Sequence, residues 1–352
     1  MREFHNLDFL RATAVLLVLI DHTTKTFGHA TFLRADIDWL GRFGVLLFFV
    51  HTSCVLMMSL GRLRATSLAG PSLYAAFYAR RFFRFYPLSA VCVALVTTLA
   101  IPCALIQDGV FKLFRPTLFQ FMSNLLLVQN LTAGTPDVLS VLWSLPIEVQ
   151  MYFVLPFIFT SLPLRGRLRW LIVLWLGSIG LAVLQPHIDW RLNLARFFPC
   201  FVPGVIAYVG FADWRQEFAG AWFPVFLVAL TCLFMLVPGW RAGWFFCLGM
   251  GIMLPLFREL TNGFLNRATH EIAKYSYGLY LTHVVCLWLA FVRLSFLPLY
   301  MRWIVFIGSI LVASVAGYHL IEHPMIRVGT RVADNLAKTT SRLVAVSANL
   351  LC

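Results

Sequence analysis

The chain has 352 residues, of which 60% are hydrophobic and only 12% charged, with a mean hydropathy of +0.82 and a net charge of +13. A soluble domain carries about a quarter charged residues, so this composition excludes an ordinary soluble enzyme and predicts an all-α, polytopic integral membrane protein. The basic residues lie in short clusters between apolar runs, as in membrane proteins, and no basic stripe interleaved with aromatic residues indicates nucleic-acid binding.

Apolar runs long enough for a helix to cross a bilayer recur along the chain. A hydrocarbon core about 30 Å thick requires about 20 predominantly apolar residues per helix. On this basis we predict about ten transmembrane helices, at 7–23, 40–60, 85–106, 143–159, 170–184, 196–211, 221–237, 243–257, 275–292 and 303–320. The run at 118–131 is too short to cross, and we expect it to lie in the interface or to re-enter the membrane.

Ten crossings place both termini on the same side of the membrane. The densest basic runs, RRFFR at 80–84 and RGRLR at 165–169, then fall on the side of the N-terminus. The positive-inside rule therefore favours an N-in, C-in orientation. We predict one transmembrane domain over 1–328 and a cytoplasmic C-terminal tail over 329–352.

The first predicted helix carries an arginine and a histidine on one face. Arg11 and His22 are 11 residues apart, which places them within about 20° of each other and about 16.5 Å apart along the helix axis. Titratable groups inside a membrane are functional candidates, and histidine is a fit general base near neutral pH. The alternative is that His22 is a satisfied polar residue at a helix end. Lys25 is expected to pair with Asp21 one turn away. Asp21 is poorly placed to orient His22, because adjacent residues of a helix face about 100° apart.

The third and fourth predicted helices each begin with a polar cluster. Arg81 and Arg84 share a face at the start of the third, where guanidinium groups suit phosphate contacts, although a positive-inside anchor is the commoner role. Glu148 and Tyr152 share a face of the fourth, at a predicted depth similar to that of His22. Glu148 is either part of an acid–base site or a structural carboxylate bonded to a neighbouring helix.

Eight scattered cysteines form no CxxC or Cys/His pattern, so neither a metal site nor a disulfide framework is expected. No P-loop, GxSxG or HExxH motif is present, which argues against ATP hydrolysis and metalloprotease chemistry.

Six segments, taken in order, resemble the acyltransferase-3 family of bacterial membrane O-acyltransferases. They are LDFLRATAVLLVLIDH at 7–22, GRFGVLLFFVHTSCVL at 41–56, RRFFRFYP at 80–87, LWSLPIEVQMYFVLP at 142–156, YSYGLYLTH at 275–283 and IEHP at 321–324. This chain departs from the family pattern at 51–54, where His-Thr-Ser-Cys replaces a usual Ser-Gly pair, and at Val149, where a second acidic residue is often found.

The resemblance implies ten membrane helices in the bacterial cytoplasmic (inner) membrane, and transfer of an acyl group from cytoplasmic acyl-CoA to an acceptor hydroxyl, commonly on a sugar. Acetyl-CoA is the expected co-substrate, and no permanently bound cofactor is expected. By the same resemblance, His22 is the catalytic residue with Arg11 and Glu148, Arg81 and Arg84 hold the donor's phosphates, and Trp143 and Tyr152 bind substrate.

The expected partners are acyl-CoA, a glycan or other hydroxyl-bearing acceptor and membrane lipids; a homo-oligomer is compatible with the sequence. Two other functions stay open. Intramembrane His22, His51, Glu148 and His283 could form the proton relay of a secondary transporter. A non-catalytic component of a polysaccharide export complex is the third reading. The sequence also leaves open direct transfer versus an acyl-histidine intermediate.

Overall fold

A computed structural model describes residues 4–28, 31–32, 35–66, 68, 70–107, 110–132, 135–163 and 165–336. These residues form an all-α bundle with two very short β-hairpins. The helices are α1 His5–Thr26, α2 Asp38–Ala65, α3 Gly70–Thr98, α4 Leu118–Leu125, α5 Leu145–Ser161, α6 Arg167–Ile188, α7 Asn193–Asp213, α8 Trp222–Leu236, α9 Trp240–Met253, α10 Gly263–Leu287 and α11 Leu299–Gly317. The hairpins pair β1 Thr31–Phe32 with β2 Ala35–Asp36, and β3 Leu105–Gln107 with β4 Val110–Lys112.

A helix lies at each of the ten predicted spans, with bounds that differ by a few residues for most of them. Among the described residues, six helical stretches are long and apolar enough to cross a membrane, and two further apolar helices are shorter. The chain is therefore an all-helical protein with several membrane-spanning candidates. The number of crossings, ten, and the N-in orientation stay predictions. The short run at 118–131 contains α4, whose eight residues begin at a capping box formed by Thr117 and Gln120.

The third span differs most from its prediction. Helix α3 begins at Gly70, well before the apolar run at 85, and ends at Thr98. It ends early because Ala100 adopts a positive φ of 49° and Pro102 cannot continue a helix, so the chain turns into β3. The arginine-rich segment at 80–84 consequently lies in the middle of α3 and not at its mouth.

Two glycines allow the central helix α2 to approach its neighbours. A Cβ at Gly44 would lie 2.6 Å from the carbonyl oxygen of Ala14 on α1. A Cβ at Gly204 of α7 would overlap the carbonyl oxygen of Val50 and the hydroxyl of Ser53 on α2. Helices pack closely in membrane proteins where small residues remove the side chain between them. These contacts place α2 at the centre of the bundle, between α1 and α7.

The last helices complete the bundle. Helix α10 contacts α1 along its length, and a π-helical segment, Trp288–Arg293, extends it. A second π-helical segment, Tyr318–Glu322, interrupts a helical stretch that runs from Leu299 to Leu336. Of the predicted tail at 329–352, residues 329–336 continue this helix, and the rest lies outside the described residues.

Candidate active site

Two cavities lie at opposite ends of α1. The first, of about 960 Å³, is lined by residues from the start of α1, including Asp8 and Arg11, and by the end of α2. We call it the arginine cavity, since its lining includes Arg11, Arg62, Arg80, Arg81, Arg84 and Arg267. The second, of about 690 Å³, is lined by the end of α1 and by the beginnings of α2, α7 and α9, and we call it the histidine cavity because His22 borders it.

Hydrogen bonds hold two arginines in the lining of the arginine cavity, and the other nitrogens of their guanidinium groups remain available to a ligand. The Nε of Arg11 donates to Ser276 Oγ on α10 at 2.6 Å, and Arg81 Nη2 donates to Ser59 Oγ on α2 at 3.1 Å. Arg84 lies 3.9 Å from the buried Glu322, which is within ion-pair range but beyond hydrogen-bond distance. Within the described residues, no carboxylate pairs with Arg11 or Arg81 within 4 Å, so the cavity is suited to an anionic ligand.

Glu148 lies on the wall of the same cavity. Its Oε1 accepts a 2.7 Å hydrogen bond from Tyr152 on the next turn of α5 and a longer one, 3.4 Å, from Thr52 on α2. The predicted common face of Glu148 and Tyr152 is therefore what the structure has. Both residues border the arginine cavity and neither borders the histidine cavity, so Glu148 and His22 do not share one site as their predicted depths suggested.

His22 is hydrogen-bonded to a histidine from a distant part of the sequence. Its Nδ1 lies 2.7 Å from Nε2 of His283 on α10, and the two rings are within 20° of parallel. The Nδ1 of His283 lies 3.0 Å from the carbonyl oxygen of Leu279. A carbonyl only accepts, so this Nδ1 carries the proton, and the Nε2 of neutral His283 accepts from Nδ1–H of His22. The same arrangement leaves Nε2 of His22 unprotonated, as a general base requires.

Asp21 lies beside this pair. As predicted, it bonds to Lys25, with an Nζ–Oδ2 distance of 2.9 Å. Its Oδ2 also lies 3.7 Å from Nε2 of His22, which is beyond hydrogen-bond distance. His283, and not Asp21, therefore fixes the orientation of the His22 ring.

Among the residues that the structure describes, only Val45 of α2 and Tyr280 of α10 border both cavities. The Tyr280 hydroxyl is hydrogen-bonded to Ser144 Oγ at 2.7 Å and donates to the carbonyl oxygen of Val141 at 2.8 Å. The side chains of Val45 and Tyr280 are both almost fully buried. The two cavities are thus separated by a wall that is one layer of side chains thick at this point.

Polar groups border the histidine cavity on the side away from α1. Asp137 accepts a 2.9 Å hydrogen bond from Gln129 Nε2 in the connection between α4 and α5. Burial raises the pKa of Asp137 to about 6, and the Gln129 hydrogen bond opposes the rise. Within the described residues, Gln129 Oε1, Asn130 Nδ2 and Ser140 Oγ have no hydrogen-bond partner. The wall of the cavity is therefore polar on this side.

The predicted site residues are divided between the two cavities. Arg11, Arg81, Arg84, Glu148 and Tyr152 border the arginine cavity, and His22 and Trp143 border the histidine cavity. Arg11 and His22 do share a face of α1, since both bond to α10, but they lie on opposite sides of the wall.

Sequence reasoning did not assign His283 or Asp137 to the site. The motif at 275–283 carried the signal for His283, as its last residue. Asp137 lies in a connection without periodicity and gave no signal.

Comparison with protein families is decisive for the class of protein. A family model described as an acyltransferase domain matches residues 4–319. The chain belongs to the acyltransferase-3 family. Comparison with curated proteins and with solved structures gives no match. The matched region of this acyltransferase-3 chain includes the wall between the cavities and both histidines of the hydrogen-bonded pair, while Ile326 and Thr330 of the arginine cavity lie just beyond it.

Proposed function

We propose that this membrane acyltransferase moves an acyl group, acetyl being the expected one, from acyl-CoA to a hydroxyl of a cell-surface or secreted glycan. The observation that carries the proposal is the position of His22. Its free Nε2 is on the side of one cavity, and a wall of Val45 and Tyr280 separates this cavity from a second one rich in arginine.

The arginine cavity suits the donor. Its lining contains six arginines against the three carboxylates of Asp8, Glu148 and Glu271, which favours a ligand bearing several phosphates. Arg11, Arg81 and Arg84 would hold these phosphates, and the thioester arm would extend past Val45 and Tyr280 to reach His22. Glu148 balances part of the positive charge and orients Tyr152 beside the path of the arm.

The histidine cavity suits a sugar acceptor. Trp143 forms one wall with Phe197 and Trp240, whose ring centroids lie 5.7 and 6.1 Å from its own. An indole packs against the apolar face of a pyranose, and the carboxylate and amide groups of Asp137 and Asn130 can bond to its hydroxyl groups. Cavities that combine an aromatic wall with a few convergent polar groups are typical small-molecule sites.

The chemistry follows from the tautomer of His22. Its Nε2 takes the proton of the acceptor hydroxyl as the oxygen attacks the thioester carbonyl, the carbon–sulfur bond breaks, and CoA leaves as the thiol after receiving that proton. The bond from Nδ1–H to His283 strengthens when His22 becomes positively charged. General-base catalysis is worth about 10²–10⁴-fold in rate. The alternative is that His22 itself is acylated before the acceptor attacks.

Purified protein, radiolabelled acetyl-CoA and a crude glycan pool provide the test. We expect thiol release with label in sugar, loss of both in His22→Ala, and weaker acetyl-CoA binding in Arg84→Gln with the rate at saturating donor retained. Arg293→Gln, at the end of the π-helical segment after α10 and outside both cavities, is the matched control. Acylation by His22→Ala at a tenth of the normal rate or more would overturn the assignment.

Two controls address the remaining alternatives. A proton-coupled carrier, or a non-catalytic component of an export complex, would release no thiol; solute flux in vesicles without covalent change identifies the carrier. Label that stays on the protein when the acceptor is omitted identifies an acyl-histidine route. We further propose that the arginine cavity faces the cytoplasm of a bacterial inner membrane. Single cysteines introduced as Arg62→Cys at the arginine cavity and Trp190→Cys at the histidine cavity, labelled from each side of the membrane, test that orientation.

A further inference from the structure

The histidine cavity has a cationic end that the proposed chemistry does not use. Arg42 of α2 and Arg196 of α7 both border it, and both stack on Trp240 at the start of α9. The guanidinium carbon lies 5.4 Å from the ring centroid for Arg42 and 5.1 Å for Arg196. The two cations are thus no farther apart than the sum of these distances, and they face the same cavity.

These two arginines are poorly compensated by carboxylates. Arg42 lies 3.8 Å from Asp38, whose carboxylate is also within 3.1 Å of Lys25. Within the described residues Arg196 has no carboxylate within 4 Å, and its side chain donates no hydrogen bond. Two adjacent guanidinium groups repel each other, so an arrangement that keeps them together favours an anion between them.

The backbone adds positive potential at the same place. Three helices, α2, α7 and α9, begin near this cavity, and Gly41, Asn193 and Trp240 of their first turns border it. The unpaired N–H groups of a helix start carry a partial positive charge and bind anions. Each contribution is small alone, but here they converge with two arginine side chains.

The carboxylates that border the cavity already have partners. Asp21 is bonded to Lys25, and Asp137 to Gln129. Within the described residues, neither carboxylate lies within 4 Å of Arg196, which is therefore the cation of this cavity most in need of an anionic partner.

We propose that Arg42, Arg196 and Trp240 form a subsite for an anionic group carried by the acceptor glycan itself, a carboxylate of a sugar acid or a phosphate on a sugar. The inference rests on the proposed function in that it assigns the histidine cavity to the acceptor. It narrows the acceptor from any glycan to a negatively charged one, whose reactive hydroxyl lies at His22 while its anionic group is held by the two arginines.

The test is calorimetric binding to the full-length protein in detergent or nanodiscs, without acyl donor, using glucuronate, glucose 6-phosphate, glucose and glycerol 3-phosphate. We expect one or both sugar anions to bind and glucose to bind at least tenfold more weakly, because a hydrogen bond to a charged group is worth about tenfold or more in affinity. The carboxylate and phosphate arms identify which anion the subsite takes.

Arg196→Gln and Arg42→Gln should each weaken sugar-anion binding about tenfold or more, and Arg196→Lys should weaken it less. Arg241→Gln is the matched control, since this exposed arginine follows Trp240 on α9 and does not border the cavity. Size-exclusion and melting profiles identify any variant that fails to fold. Trp240→Phe then takes the place of that variant in the binding test, because phenylalanine keeps an aromatic ring but removes the indole on which both arginines stack.

Several outcomes overturn the subsite. They are equal binding of glucose and the sugar anions, unchanged binding in both glutamine variants, and binding of glycerol 3-phosphate alone, which would mark a lipid headgroup site. Acyl transfer then separates the two proposals. Transfer to neutral glycans without a preference for charged ones refutes the subsite only, whereas sugar-anion binding without transfer to any acceptor refutes the proposed function only.

Discussion

The hydrogen bond between His22 and His283 gives the sharpest test of the mechanism, through replacement of His283 by Phe. Phenylalanine fills a similar volume but cannot accept the Nδ1–H of His22, which lies 2.7 Å from Nε2 of His283. A neutral hydrogen bond contributes about 0.5–1.5 kcal/mol and one to a charged group about 1.5–3 kcal/mol. The difference, about 1–1.5 kcal/mol, applies only when His22 has taken the proton. It corresponds to about a five- to twelvefold loss of rate at about 1.4 kcal/mol per tenfold.

A second loss comes from the tautomer. Without His283, His22 has no partner that keeps the proton on Nδ1 and leaves Nε2 free, so a fraction of the molecules carries the inactive form. Together the two effects predict a fall in kcat of about ten- to a hundredfold. The KM for acetyl-CoA should stay within twofold, because the proposed site of the donor phosphates is the other cavity, lined by Arg81 and Arg84.

The assay measures initial rates of thiol release over a range of acetyl-CoA concentrations at saturating acceptor. His283→Gln is the conservative variant, since its side-chain carbonyl can accept from Nδ1–H, and we expect it to recover at least part of the activity. Thr282→Val is the matched control on α10, where the hydroxyl donates to the carbonyl oxygen of Gly278 in the same helix. A phenylalanine variant with kcat within threefold of the parent, or a glutamine variant equally impaired in kcat and in donor KM, would refute the positioning role.

Three further outcomes are expected. Val45→Phe should fill the wall between the cavities and reduce acyl transfer more than tenfold while acetyl-CoA still binds; transfer at the parent rate would mean that the donor arm takes another path. Asp137→Asn should be more stable than the parent protein above pH 6, where ionising a carboxyl with a folded-state pKa of about 6 costs stability, and this advantage should vanish as the pH falls towards 4, which paired melting curves can check. Gly204→Ala should lower the stability by about 1–3 kcal/mol by forcing α7 away from Val50 of α2, and an unchanged melting temperature would contradict that packing.

The sequence predicted the helices well because the signal for a membrane helix is local. Each of the ten apolar runs contains a helix, and the common face of Arg11 and His22 appears as their shared contact with α10. The start of α3 was missed since residues 70–84 are too polar for an apolar window, although they are helical and buried in part. Hydropathy finds the part of a helix that meets lipid, whereas a helix around a polar cavity extends beyond it.

The division of the site into two cavities could not be predicted in the same way. Spacing within α1 gives the angle and the rise between Arg11 and His22, but it does not tell which side chains from other helices lie between them. Val45 and Tyr280 are ordinary residues of α2 and α10, and their role as a wall exists only once those helices pack against α1. The partner of His22 is 261 positions away in the sequence, so no local pattern could pair them.

The position of the wall also bears on why one helix carries both Arg11 and His22. A straight helix fixes the two residues about 16.5 Å apart along its axis, so the cation that meets the donor and the base that meets the acceptor keep a constant separation. A long, extended thioester arm can cover such a distance from an anchored phosphate end, while a short acyl phosphate cannot. In the proposed function, the reactants would meet without a movement of α1 if the donor arm passes Val45 and Tyr280, where one layer of side chains separates the cavities. Such a separation favours a donor of the CoA type over smaller activated acyl groups, as the proposal requires.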